Sequence, residues 1–236
     1  MESLIPIAKL EKFDLHSTAV AVTIDDLSVF APSEDNVQAG FRRAELLPAS
    51  NNGTDASTLG IKTLHFSVAK DPHRPLNLSH EYQLVFLESD DFSTNQFVLK
   101  TGTILGQNTT NPDTLQLFGN VNDGELLFST PFKDRVMHNF ALRLDFDALT
   151  TQVFYSQNRS PLKPKTGAIP NDISGQGQYH FGILKKPTGS FDDMTKEGYQ
   201  ESGINEGIIH GGIFQEDSSG GCISLHPRGR PGRPHF

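Results

Sequence analysis

The chain has 236 residues, 36% of them hydrophobic and 20% charged, with 21 Gly, 14 Pro, 17 Phe, one Cys and no Trp. That is enough for one sizeable core, and the formal charge of −8 argues against nucleic acid and acidic membranes as partners, since both require a basic patch. The single cysteine, Cys222, excludes an internal disulfide and any paired-cysteine metal site.

In chain order, the opening "MESLIPIAKLEKFDLH" lacks the sustained apolar core and small-residue cleavage site of a signal peptide. No run approaches the ~18 apolar residues of a membrane-spanning helix. Short β-rich runs then follow one another. They are "TAVAVTID" (18–25), "FRRAELL" (41–47), "IKTLHFSVA" (61–69), "EYQLVFLE" (81–88), "QFVLK" (96–100) and "TLQLFG" (114–119). The series continues with "GELLFST" (124–130), "HNFALRLDF" (138–146), "TQVFYSQ" (151–157), "QYHFGILKK" (178–186), "GIIHGGIFQE" (207–216) and "CISLHP" (222–227). Turn-rich stretches separate them. "NVNDGE" carries the Asp-Gly signal of a tight turn, and "DFDALTTQVFY" reads as a hairpin between strands 138–146 and 151–157. One short helix is expected near Asp192–Glu197. Cys222, where a turn enters a strand, is expected to be buried. There is no internal repeat.

This pattern predicts an all-β fold, a β-jelly roll or two-sheet antiparallel sandwich with a groove on its concave sheet. One domain is expected over 1–225, followed by a basic, Pro/Gly-rich disordered tail over 226–236. Four N-x-S/T sequons, at Asn52, Asn77, Asn108 and Asn158, hint at a secretory history.

No Walker loop, dinucleotide fingerprint, HExxH or GxSxG occurs, and the nine histidines form no metal-ligand spacing. Neither a cofactor nor a metal is expected. What stands out is polar residues inside apolar strands. Alternation puts Arg43 and Glu45 on one face of 41–47. In 81–88, strict alternation puts Glu81 and Gln83 on one face and Glu88 on the other, with Tyr82, Leu84 and Phe86. Two carboxylates on neighbouring strands are the minimum for glycoside hydrolysis, one protonated and one ionised. Glu45 and Glu88 are the best-placed pair. Read alone, Arg43–Glu45 favours an ordinary ion pair, Glu88 a solvated strand end, and His180 is either a core or a groove histidine. His138 reads as satisfying hydrogen bonds at a strand start.

"TIDDLSVF", "FRRAELLP", "HEYQLVFLES", "HNFALRLDF" and "YHFGILKKP", in this order, resemble the catalytic domain of glycoside hydrolase family 131, fungal and oomycete β-glucanases, from about Thr23 to about residue 225. The resemblance implies a jelly roll and hydrolysis of β-1,3-, β-1,6- and β-1,4-linked glucan polysaccharides or oligosaccharides, with inversion, outside the cell. It places Glu45, Glu88 and His180 as catalytic residues without saying which glutamate is the acid. Arg43, Gln83 and Tyr179 are expected to bind substrate, Tyr179 in place of a Trp common in the family. Met137 stands in a second such place. A monomer is expected. Against the family pattern the chain looks shortened at its N-terminus, which predicts an unpaired edge or exposed core. Two alternatives remain open: a polysaccharide lyase acting on uronic-acid polymers, and a non-catalytic glucan-binding module.

Overall fold

A computed structural model describes residues 19–48 and 55–226. The first 18 residues, where the shortened N-terminus was expected, lie outside it, as do residues 227–236 of the expected tail and the sequon at Asn52.

Among the described residues, thirteen strands form two antiparallel sheets. They are β1 (Val20–Asp25), β2 (Arg42–Leu46), β3 (Ile61–Lys70), β4 (Glu81–Glu88), β5 (Asn95–Gly102), β6 (Thr114–Phe118) and β7 (Leu126–Pro131). Then come β8 (His138–Asp145), β9 (Thr150–Gln157), β10 (Lys163–Pro164), β11 (Ile169–Pro170), β12 (Gln178–Lys185) and β13 (Asn205–Asp217). One sheet has the order β1-β13-β3-β8-β9-β10, with β11 also on β9; the other runs β2-β12-β4-β5-β6-β7. Five of the eleven pairings (β1-β13, β13-β3, β3-β8, β2-β12 and β12-β4) join strands distant in sequence, as the crossing connections of a jelly roll require. Among the described residues no helix is long and apolar enough to cross a membrane.

The core fills the space between the sheets. Phe66, Phe140, Leu142 and Ile208 from the first sheet meet Leu84, Leu87, Phe97, Leu117, Phe181 and Ile183 from the second. These are the inward positions of alternating strands, and burying each large side chain contributes about 1.5–3 kcal/mol. Phe66 stacks on Phe140 and meets Phe181 edge-on across the interface, tying the sheets together.

Three expectations are corrected. Residues Asp192–Glu197 form turns rather than a helix: the Asp193 carboxylate accepts from the Thr195 amide and hydroxyl, and Gly198 follows at φ 102°. Such side-chain bonds compete with helix hydrogen bonds. Among the described residues, those after Ser218 form no strand. Glu216 ties that segment down through Ser224, while Ile223 and Leu225 cover Ala141, Phe154 and Leu162 on the outside of the first sheet. Cys222 is therefore exposed. The two-residue strands β10 and β11 were too short to show any period.

A cluster of charges lies inside. Lys185 on β12 points inward, fully buried, with Nζ 2.7 Å from Glu206 and 2.6 Å from Glu201. Tyr82 donates its hydroxyl to the second Glu206 oxygen at 2.8 Å. Removing one partner of such a cluster strands the others in a dry interior. Lys185→Ala is expected to destabilise the fold by about 3–5 kcal/mol, read from the denaturant midpoint.

Candidate functional site

The outer face of the β2-β12-β4 sheet carries the polar residues, and its geometry depends on one extra residue. Across β4 and β5, Gln83 lies opposite Lys100 and Val85 opposite Leu99, so Leu84 has no partner and the strand bulges. Leu84 and Val85 both join the core. Past the bulge the alternation is reversed. Gln83, Phe86 and Glu88 therefore all face outward, where strict alternation would have put Glu88 opposite Gln83.

β12 lies between β2 and β4 and needs no correction: Tyr179, Phe181 and Ile183 point inward, leaving His180, Gly182 and Leu184 outside. Two glycines let it close on its neighbours. Gly182 sits opposite Glu45, and a Cβ there would lie 2.2 Å from the Ala44 carbonyl oxygen and 2.6 Å from Glu45 Cα. Gly177, at φ 98°, lies against the Glu88 backbone, where a Cβ would come within 1.8 Å of its carbonyl oxygen. His180 stands between the two.

The imidazole bridges both glutamates. His180 Nδ1 is 3.1 Å from Glu45 Oε2, and Nε2 is 3.3 Å from Glu88 Oε2, an ion-pair contact whose angles fall short of a hydrogen bond. The ring stacks on Phe86 with centroids 4.2 Å apart, which fixes its plane. Arg43 donates to Glu45 Oε2 at 2.5 Å and has its guanidinium 5.1 Å from the centre of the Phe30 ring. Gln83 accepts from the Asn95 amide at 3.2 Å. Glu45 Oε1 has no partner among the described residues.

The charges are tuned accordingly. Burial works against the Glu45 carboxylate, yet the His180 hydrogen bond and the Arg43 charge outweigh it and hold the pKa below the ordinary 4.5. Burial likewise pushes the His180 imidazole down, and its contacts with Glu45 and Glu88 prevail, holding it above 6.5.

Five of the six candidate residues, Arg43, Glu45, Gln83, Glu88 and His180, thus share one outer face. Tyr179 does not and is a correction. The alternation that turns His180 out turns Tyr179 into the core, where its hydroxyl donates to the Ser57 carbonyl at 3.1 Å. The exposed aromatic beside the site is Phe30, 45% exposed, which the sequence reading missed. It lies in a loop before β2, where no strand period marked it. His138 is buried in the other sheet against the Tyr155 hydroxyl, 2.8 Å away, and burial pushes its pKa down to about 4. It fills the structural role expected. Among the described residues, no group of three His, Cys, Asp or Glu is placed to hold a metal ion.

A family model described as the glycoside hydrolase 131 catalytic N-terminal domain matches residues 4–221. Among solved structures, the chain is similar to a glycoside hydrolase family 131 β-glucanase catalytic domain from Podospora anserina. The TM-score is 0.67 at 23% identity, covering 89% of this chain and 75% of that one. It is also similar to a family 131 catalytic domain from Coprinopsis cinerea, with a TM-score of 0.57 and 23% identity over 84% and 70% of the two chains. A comparison with curated proteins found no match.

Two measurements probe the arrangement. Glu45→Gln removes the carboxylate that raises the His180 pKa, so the imidazole midpoint followed by NMR is expected to fall. The linkage signs follow. Glu45 contributes stability above its unfolded value, lost as pH falls through its depressed pKa; His180 contributes below 6.5, lost as pH rises through its raised one. The contribution is therefore largest between about 4.5 and 6.5, and a series of denaturant midpoints against pH should show it, diminished in Glu45→Gln. Gly182→Ala, which forces β2 and β12 apart, is expected to cost about 1–3 kcal/mol by the same assay.

Proposed function

Because the chain belongs to glycoside hydrolase family 131 and so to the glycoside hydrolases, we propose that it cleaves β-glucans outside the cell, using Glu45 and Glu88 as its acid–base pair. The observation that carries this reading is the bridging imidazole: His180 contacts both carboxylates at once on the outer face of a single sheet.

The environments differ as the chemistry needs. Glu45, paired with Arg43 and His180, is held ionised, which suits a general base. Its Oε1, without a partner among the described residues but shielded from solvent, is the oxygen that a bound water would have to reach. Glu88 is more open, its side chain 26% exposed, and touches only the far nitrogen of His180. Closing of the 3.3 Å contact between Nε2 and Glu88 would let the imidazolium pass a proton to that carboxylate. On the carboxylate it makes Glu88 the general acid, and after transfer to the leaving oxygen the pair is reprotonated from solvent. A whole imidazole stands between the two carboxylates, an arrangement that suits the wider spacing of inversion (~6.5–9.5 Å) better than the close approach of retention (~5–5.5 Å). The β-glucanase description of the Podospora relative supports the substrate class.

Phe30 presents an apolar face beside Arg43 and is the aromatic on which a glucosyl ring would stack, in the role expected of Tyr179. A lyase would need free cations to neutralise a uronate. Arg43 is committed to Glu45 at 2.5 Å, which weighs against that alternative.

Incubation with laminarin and lichenan is expected to release reducing ends whose first-formed anomer by NMR is α, the inverted product. Polyglucuronate should yield no unsaturated product. Glu45→Gln and Glu88→Gln should each lower kcat about 10²–10⁴-fold in a folded protein. Near-wild-type turnover in either would remove that residue from its role. Activity against pH should be bell-shaped. It falls as pH drops through the depressed Glu45 pKa, below 4.5, and again as pH rises through the raised His180 pKa, above 6.5. Phe30→Ala should raise KM about 3–10-fold with a much smaller change in kcat.

A further inference from the structure

His210 has no part in the chemistry above, yet it stands directly behind it. It lies on β13 of the facing sheet, 1% exposed, with Nε2 3.0 Å from the Gly182 carbonyl oxygen. A carbonyl can only accept, so Nε2 carries the proton. Nδ1 has no partner among the described residues. Burial pushes the imidazole pKa down to about 4, so the ring is neutral over the ordinary pH range. This is a second polar tie between β12 and β13, beside the Lys185–Glu206 pair, and its two ends are irregular. The pairing of β13 with β3 shifts between Gly211 and Phe214, with Gly212 at φ 58°. The pairing of β12 with β4 shifts between Phe181 and Leu184. The bond joins these two breaks in the ladders. Its acceptor, Gly182, is the residue pressed against Glu45 and lies two positions from His180.

We propose that His210 is a positioning residue of the outer face: its hydrogen bond from the opposite sheet holds the irregular stretch of β12 in the register that sets His180 between Glu45 and Glu88. It touches neither carboxylate nor substrate and acts only through Gly182. A regular strand would not need such a tie, because its ladder fixes it on both sides. Here the β4 side of the ladder is interrupted at Gly182, and a shift of about 1 Å in near-attack geometry can cost on the order of 100-fold in rate. The kinetic part rests on the hydrolytic reading; the titration of His180 does not.

The test compares two carboxamides that differ mainly in reach. In His210→Gln the amide nitrogen can occupy the place of Nε2, whereas in His210→Asn it falls one methylene short. Gln is expected to keep kcat within about threefold and leave the His180 NMR midpoint unchanged. Asn is expected to lower kcat about 10-fold with KM within about twofold, and to shift the His180 midpoint down as its contacts with the glutamates loosen. Equal His180 midpoints and equal kcat in the two folded variants, whatever their stabilities, would overturn the proposal. Should the Asn variant not fold, His210→Met, which fills the space without a donor, is read the same way. In the unmodified protein, imidazole nitrogen shifts must place the His210 proton on Nε2, and a proton on Nδ1 would also overturn it. If the wild type releases no reducing ends, the hydrolytic reading fails, and the midpoints still decide the role of His210.

Discussion

A pleated strand sends successive side chains to opposite faces, and strands paired in register keep that parity in step across a sheet. The site here exists because β4 breaks the rule once. With Leu84 and Val85 both turned inward, the strand keeps an apolar inner face on either side of the bulge and still delivers both Gln83 and Glu88 to the outside. Without the extra residue, the strand end could serve the core or the chemistry but not both. A Glu88 turned inward would be an unpaired carboxylate among Leu87, Phe97 and Ile173.

Once the three strands present their polar side chains together, electrostatics separates their roles. Arg43 and His180 both commit to one Glu45 oxygen. Glu88 faces only the far side of the same imidazole. Two carboxyl groups on one surface thus have different surroundings, and the Glu45 carboxyl is held below its ordinary pKa. The histidine connects them and Phe86 keeps it flat. Buried histidines elsewhere, His138 and His210, have lowered pKa values because burial dominates, as it does even at His65, which contacts Glu216.

Much of this was legible beforehand. The long strands fall close to where apolar alternation placed them, since alternation is imposed by burial of one face and shows in any strand of six or more residues. The polar residues stood out for the same reason: Arg43, Glu45, Gln83 and His180 interrupt apolar strands. The parity of Glu88 was not legible. In "QLVFLE" several adjacent large apolar residues fit either phase, and only cross-strand pairing reveals which one is extra. Tyr179 was misplaced because the resemblance to an aromatic position was followed where the pleat, read from His180, already pointed the side chain inward. Gly182 and His210 carried weak signals, a glycine inside a strand and a histidine before a glycine pair. Neither says what it touches until the second sheet is in place.

The glycine that precedes β12 and the one within it carry one more implication. At residues 177 and 182 the space between this strand and the backbones bearing the glutamates is smaller than a methyl group. The site is thus specified partly by atoms that are missing. Its tolerances are set by main chain against main chain, which has no rotamers with which to adjust, so the carboxylates inherit the rigidity of the backbone. A search for such sites by polar residues alone would find the glutamates and the histidine and pass over the clearances that make them neighbours.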